Sequence, residues 1–254
     1  MSPLAITLIA FVCIFGGTLI GMFLRTALPE HHLSYESRDV VKMGIGTIAT
    51  LAALVIGLLL ASAKGNFDTM NNGFIQLGSK IILLDRVMAE YGPETREARD
   101  QLRRSVTAAM ERIWPKEGTG QAEADAFDPR AAMDTFQHKL RRLSPQNDDQ
   151  RWLQSRALQV SSDISETRWL LIARKGQSSL PIPFLVMLIF WLVVIFFSFG
   201  LFAPRNVTVF IVLLICAMSA TSSLYLLMEL DRPFDGLIGI SSAPIRNALD
   251  YLAR

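Results

Sequence analysis

A group of ionisable side chains lies directly after the last long apolar run of the chain. Three carboxylates and one guanidinium fall within seven residues, around a proline and an aromatic ring: Glu229, Asp231, Arg232, Pro233, Phe234 and Asp235. Clustered carboxylates can bind a cation or contact a second subunit. Arg232 can instead pair with Glu229 or Asp231, and the group would then only cap the end of a helix. The residue types leave both interpretations open.

The rest of the chain has no motif of an enzyme or a metal centre. The HExxH, GxSxG, P-loop, CxxC and dinucleotide-binding patterns are all absent from the sequence. The neighbouring His31 and His32 would need a third ligand, such as Glu30 or Glu36, to hold a metal. A solvated loop is the commoner role of such a pair. We therefore predict no catalytic residue, no metal, no cofactor and no enzymatic activity.

Four stretches of the chain without any ionisable side chain are long enough to cross a lipid bilayer: residues 2–24, 43–63, 176–204 and 206–228. A hydrocarbon core about 30 Å thick is crossed by about 20 helical residues, and a helix satisfies its backbone polar groups internally. We predict an all-α protein in contact with membrane lipid, with four transmembrane helices and a helical domain inserted between the second and the third.

The charged residues separate the chain into parts. Of 25 Lys and Arg residues, 18 lie between Lys64 and Lys175, as do 16 of the 23 Asp and Glu residues. The near balance of signs and the net charge of +2 predict no nucleic-acid partner. We assign transmembrane helices one and two to residues 1–64, a water-facing helical domain to 65–180, transmembrane helices three and four to 181–230, and a C-terminal segment to 231–254.

Apolar residues recur at helical spacing throughout the middle domain. Pro93, Trp114-Pro115 and Asp128-Pro129 mark the ends of its helices. The last helix carries a packing seam at alternating spacings of four and three residues: Leu153, Ala157, Val160, Ile164, Thr167 and Leu171. Such a seam fits either the core of one subunit or a contact between subunits.

The second span has two further features. Small residues repeat every four positions, at Ala49, Ala53, Gly57 and Ala61, and therefore share one helical face. Close helix packing is the usual reason for this spacing, and the wall of a pore is the alternative. Beyond the span, helical spacing continues and predicts one long helix that leaves the membrane, through Phe67, Met70, Phe74, Leu77, Ile81 and Leu84.

Lys and Arg residues flank the four spans unevenly. The side with both termini and the middle domain has seven of them near the membrane: Lys64, Lys80, Arg168, Arg174, Lys175, Arg232 and Arg246. The opposite side has four: Arg25, Arg38, Lys42 and Arg205. The positive-inside rule therefore predicts that the termini and the middle domain are cytoplasmic.

The order of these parts and two local motifs resemble the bestrophins, and the ending resembles bacterial membrane proteins described as bestrophin-like. The first motif is the apolar-to-basic stretch at residues 56–68. The second is Glu-Leu-Asp-Arg-Pro-Phe at residues 229–234, followed by Ser242-Ala243-Pro244-Ile245. The resemblance implies a homo-oligomer, a pentamer, in the bacterial inner membrane, with inorganic ions passing through a central pore lined by the second span. The clustered aspartates that bind calcium in animal bestrophins are reduced here to Asp235, so we expect no metal.

The resemblance also implies which residues line the pore. An apolar neck would be formed in one of two registers, either by Ala53, Gly57 and Ala61 or by Val55, Leu59 and Ala63. In the first register Ala49 would line the pore as well. Lys64 at the inner mouth would favour anions and Asp68 one turn further would favour cations, with a slight lean to anions. The alternative function is a non-conducting membrane scaffold or sensor whose cytoplasmic helices bind a protein partner, for which the seam at residues 153–171 would serve.

Overall fold

The computed structural model describes residues 2–27, 35–114, 129–175, 181–204, 206–234 and 236–253, and within these ranges it contains helices and no strand. The elements are α1 (Pro3–Ala27), α2 (Tyr35–Tyr91), a short 3-10 helix (Pro93–Thr95), α3 (Arg96–Ile113), α4 (Pro129–Arg141), α5 (Asp148–Lys175), α6 (Ile182–Phe202), α7 (Val207–Leu230) and α8 (Ala243–Leu252). Helices α1, α2, α6 and α7 are long and apolar enough to cross a membrane. The predicted all-α fold with four spans is confirmed.

Contacts divide the chain into two compact units. The membrane unit comprises Met1–Phe67 and Ser178–Ile238, and the helical unit comprises Asp68–Gln177 and Gly239–Arg254. Helix α2 is continuous over 57 residues and contributes to both units. The sequence pattern beyond the second span therefore predicted this long helix correctly.

Helix ends follow from local chemistry. Pro181 is the N-cap of α6 and Pro183 lies in its first turn, where a missing N–H has no helical partner to lose. Gly92, which follows α2, has φ of 134°, a backbone conformation that favours glycine, and α2 ends at the residue before it. Trp114 is the C-cap of α3, as the Trp-Pro pair predicted.

The membrane unit is built around α1, which packs along α6 and also along α7, whereas α6 and α7 contact each other little. Its buried core combines residues of all four spans, among them Ile14 of α1, Ala52 of α2, Leu188 of α6 and Leu224 of α7. In the last turn of α1, the Arg25 guanidinium donates a hydrogen bond to the carbonyl of Ala203, which is the C-cap of α6. A cation is favourable at a helix C-terminus, so Arg25 fixes the end of α6.

The seam of α5 belongs to the core of the helical unit. Leu153, Ala157, Val160, Ile164, Thr167 and Leu171 are all buried within this one chain. Gly73 of α2 lies so close to the seam that an added Cβ would be 2.7 Å from Leu171 Cδ2. The choice left open by the sequence is therefore decided in favour of a core within one subunit.

The C-terminal segment packs within the helical unit. Trp114 Nε1 donates a hydrogen bond of 3.0 Å to the carbonyl oxygen of Ile240. Helix α8 buries Ile245, Ala248 and Leu252, the apolar face expected of a short amphipathic helix. Its first turn lies against α2, where a Cβ on Gly78 would be 2.8 Å from the Pro244 carbonyl oxygen.

Candidate functional site

Within the membrane unit, one face of α2 is covered by the other spans. Ile45 and Ala52 are buried in the main apolar core, and Ala63 is buried in a second cluster with Leu227 and Leu230 of α7. Val55 and Leu59 of the alternative register pack against these same clusters. This register therefore lies on the side of α2 that faces its own subunit.

The other face of α2 is open in the single subunit. Ala53, Gly57, Ala61 and Lys64 are exposed, and no atom lies within 4 Å of the position that a Cβ on Gly57 would take. Gly46 and Thr50, which sequence reasoning did not single out, share this face and are exposed as well. We call Gly46, Thr50, Ala53, Gly57, Ala61 and Lys64 the open face.

Two predicted pore residues differ from the open face. Ala49 is half-buried and packs against the main core of the membrane unit. Asp68 is half-buried and belongs to the helical unit. Lys64 has an aromatic neighbour: its Nζ lies 5.3 Å from the centroid of the Phe67 ring, in a cation–π contact.

Small side chains distinguish the open face from the other exposed surfaces of the spans. The exposed residues of α1, α6 and α7 are mostly large and apolar, as lipid contact requires, for example Leu8, Phe190 and Ile215. A separate row of large apolar residues on α2, formed by Leu51, Leu54 and Leu58, is exposed too. The open face has nothing larger than threonine between Gly46 and Ala61, so it has little apolar surface to offer lipid.

The buried carboxylate of Glu229, in the last turn of α7, is the centre of the described contacts in the ionisable group. Glu229 is 3% exposed, and its carboxylate accepts hydrogen bonds from the Leu237 backbone N–H and the Tyr225 hydroxyl. A Cβ on Gly236 would overlap Glu229 Oε1, so only glycine fits there without displacing the carboxylate. The two ends of the segment from Glu229 to Gly236 are thus held together.

The remaining predicted residues of this group are less buried. The Arg232 backbone N–H donates a 3.1 Å hydrogen bond to the Glu229 carbonyl oxygen. Asp231, Pro233 and Phe234 are half-buried, and Arg232 is exposed. Asp235 lies outside the described residues, as do Glu30, His31 and His32, and the side chain of Glu36 is likewise not described.

Sequence reasoning predicted a carboxylate cluster but missed Tyr225 and Gly236 as the partners of Glu229. A tyrosine one helical turn before a buried glutamate was a usable signal, because side chains four residues apart on a helix are neighbours. The Leu237 N–H could not be predicted, since a backbone donor leaves no trace in residue type. Among the described side chains, no three of the His, Cys, Asp and Glu type converge as a metal site would need.

The fold and its four apolar helices define the class of this chain as an all-helical, multi-pass membrane protein. A family model for the Bestrophin-like domain matches residues 12–245, so the chain belongs to the Bestrophin-like family. The resemblance noted at the motifs of residues 56–68 and 229–234 is thereby confirmed.

Solved structures with a similar fold are bacterial bestrophin homologues. The crystal structure of one from Klebsiella pneumoniae has a TM-score of 0.66 and 12% identical residues, covering 97% of this chain and 98% of that chain. A second structure, of a tryptophan-to-alanine variant from the same organism, has a TM-score of 0.62 and 14% identity and covers 100% and 99% of the two chains. At this identity the likeness shows the fold alone. No curated protein matches the sequence.

Proposed function

We propose that this chain forms an oligomeric ion channel of the bacterial inner membrane, with the open face of α2 as the wall of a central pore. The observation that carries the proposal is the contrast between the two sides of α2. One side is packed against its own subunit, and the other presents exposed small side chains, with open space at the Gly57 Cβ position and Lys64 exposed at its end. Membership in the Bestrophin-like family supports the channel class.

A pore of this kind needs several copies of the chain. The open face lies on the surface of one subunit, so a closed passage forms only when equivalent helices surround a common axis. By resemblance to the bestrophins we propose a pentamer. The mass of the detergent-solubilised particle and a low-resolution image along its axis test this directly: a monomer, or an oligomer without an axial opening, would contradict the proposal.

The sharpest test of the pore wall is a large side chain on the open face. We expect Gly57→Phe to remove most of the ion flux into proteoliposomes, because five bulky rings around one axis would fill the passage. Gly16→Phe on α1 is the matched control, since Gly16 also has no atom within 4 Å of its Cβ position but lies on another helix. Equal flux in the two variants would reject α2 as the pore wall.

The permeant ion is proposed to be an anion. Lys64 is exposed on the open face, whereas Asp68 is half-buried, so the positive charge contributes more to the potential along the passage. Lys64→Gln should shift the reversal potential in a chloride gradient towards the value for cations, and Asp68→Asn should shift it much less. Cation permeation in the wild type, abolished by Asp68→Asn, would reverse this assignment.

The proposal also places both termini and the helical unit in the cytoplasm. It is supported by the seven Lys and Arg residues near the membrane on that side against four on the other. The competing scaffold hypothesis relied on the α5 seam as a partner surface, and that seam is buried inside the subunit. If wild-type oligomers pass no ion under any gradient, the scaffold hypothesis would be favoured over the channel.

A further inference from the structure

The helical unit contains an open cleft that the proposed channel does not use. It lies between α2 and α5, has a volume of about 770 Å³, and is lined by Leu83, Arg86, Val87, Ala89, Glu90, Trp152, Arg156 and Gln159. Pockets for small molecules typically have about 300–1,000 Å³, so the cleft has the size of a small-molecule site rather than of a flat protein interface.

Two contacts fix how α2 and α5 are aligned along the cleft. At one end, Gln150 Nε2 donates a 3.1 Å hydrogen bond to the Tyr91 carbonyl oxygen. At the other end, Lys80 Nζ donates a 2.8 Å hydrogen bond to Thr167 Oγ1. The helices are therefore antiparallel, and this register brings Arg86 of α2 to the same level as Arg156 of α5.

Arg86 and Arg156 both line the cleft, and two guanidinium groups at one site favour the binding of an anion. Arg156 Nη1 donates a 3.0 Å hydrogen bond to Gln159 Oε1, which is a neutral partner. Neither Arg86 nor Arg156 forms an ion pair with a carboxylate in the part of the chain that the structure describes. Glu90 contributes the one carboxylate among the lining residues, so their net charge is positive.

An aromatic surface lies beside these charges. Trp152 is 64% exposed, which is unusual for the largest apolar side chain of a water-facing unit. Val87, 7% exposed, provides an apolar floor, and Leu83 lies further along the same wall. An indole face is a stacking platform for a planar ring, and a guanidinium pair is a bidentate partner for phosphate oxygens.

We propose that this cleft binds an organic phosphate that carries a planar ring, with the ring on Trp152 and the phosphate between Arg86 and Arg156. Glu90 would accept a hydrogen bond from a hydroxyl or amino group of the ligand. The proposal is independent of the pore, because none of these residues belongs to the open face.

The test uses the full-length protein in detergent, with ADP as the probe, in isothermal titration calorimetry. We expect ADP to bind, and inorganic phosphate and adenosine each to bind more weakly, since each fills half of the cleft. Arg86→Ala and Arg156→Ala should each weaken ADP binding about tenfold, the effect of losing one charge-assisted hydrogen-bonding group. Trp152→Ala should weaken ADP about fivefold or more while changing phosphate binding little.

Two control variants lie on the same helix outside the cleft. Arg151→Ala removes an exposed guanidinium that pairs with Asp148, and Trp169→Ala removes a second exposed indole. Neither should change the affinity for ADP. Absence of ADP binding at millimolar concentration, or equal weakening by Arg151→Ala, would overturn the proposal.

A second measurement detects a different occupant. Acrylamide should quench a fraction of the tryptophan fluorescence that disappears in Trp152→Ala, because ligand binding requires the cleft to be open in the assembled protein. If the wild type and this variant have the same accessible fraction, a second copy of the chain covers Trp152, and the small-molecule proposal is wrong.

Discussion

The membrane unit contains two sets of small residues at helical spacing, and they have opposite surroundings. The first set lies on α1, where Gly21 is in close contact with α6. A Cβ on Gly21 would overlap the Phe197 carbonyl oxygen, and a Cβ on Gly200 of α6 would overlap the Thr18 carbonyl oxygen of α1. On α2, a Cβ on Gly57 would meet empty space. The same four-residue spacing of small residues therefore accompanies close helix packing on α1 and an uncovered face on α2.

The comparison shows that spacing alone does not identify a packing interface. Close helix packing is the usual explanation for a row of small residues such as that on α2. The structure shows close packing on α1 instead, where Gly17 and Gly21 form a GxxxG pattern against α6. The neighbouring helix determines the role of such a row. Gly200 of α6 lies opposite α1, whereas none of the described residues covers the open face of α2.

The largest loss of stability is expected from substituting a glycine that contacts the backbone of another helix. Gly21→Val should lower the free energy of unfolding by about 3 kcal/mol, because the Phe197 carbonyl cannot move without displacing α6. Gly16→Val, on the same helix but with no atom within 4 Å, is the control. The thermal unfolding midpoint in detergent measures both. Similar midpoints would mean that α1 and α6 are not in close contact.

A smaller effect is expected at Gly236, which contacts a side chain instead. Gly236→Ala should cost about 1–2 kcal/mol, because the displaced Glu229 carboxylate loses the Leu237 N–H. The double variant with Glu229→Ala isolates this contact, since removing the carboxylate removes the overlap. If Gly236→Ala costs the same in both backgrounds, its effect does not pass through Glu229.

On the open face, a substitution of glycine is not expected to lower the stability of the protein. Gly57→Ala should leave the unfolding midpoint unchanged or raise stability by up to about 1 kcal/mol, because alanine is the better helix former and nothing lies in its way. Thermal unfolding of the intact oligomer measures this. A loss comparable to that of Gly21→Val would show that Gly57 packs against a neighbouring subunit, and the pore wall would have to be sought elsewhere.

Much of the fold could be predicted because it depends on local signals. Runs without ionisable side chains set the four spans, and Pro181 with Pro183 set the start of α6. The long α2 was predicted because helical spacing continues from Phe67 to Leu84 on its buried side. The candidate site was harder. Which face of α2 is covered depends on Leu188 and Leu224, more than a hundred residues away in sequence.

A weak ion pair joins α3 and α4 at the surface of the helical unit. Lys139 Nζ donates a 2.5 Å hydrogen bond to Glu97 Oε1, and this bond, with the charge of Lys139, lowers the pKa of Glu97 below its ordinary value of 4.5. A carboxyl group whose pKa is lowered by folding stabilises the protein above the unfolded-state pKa, and the contribution is lost as the pH falls through the folded-state pKa.

Glu97→Gln should therefore lower the unfolding midpoint slightly at pH 7, and the difference from the wild type should vanish when the pH is taken below the folded-state pKa of Glu97. The effect is small because the Glu97 side chain is 77% exposed and water screens the pair. Glu111→Gln on the same helix controls for the loss of one negative charge. A difference that persists in acid would mean that Glu97 acts through packing and not through its charge, since only the charged form is stabilised by Lys139.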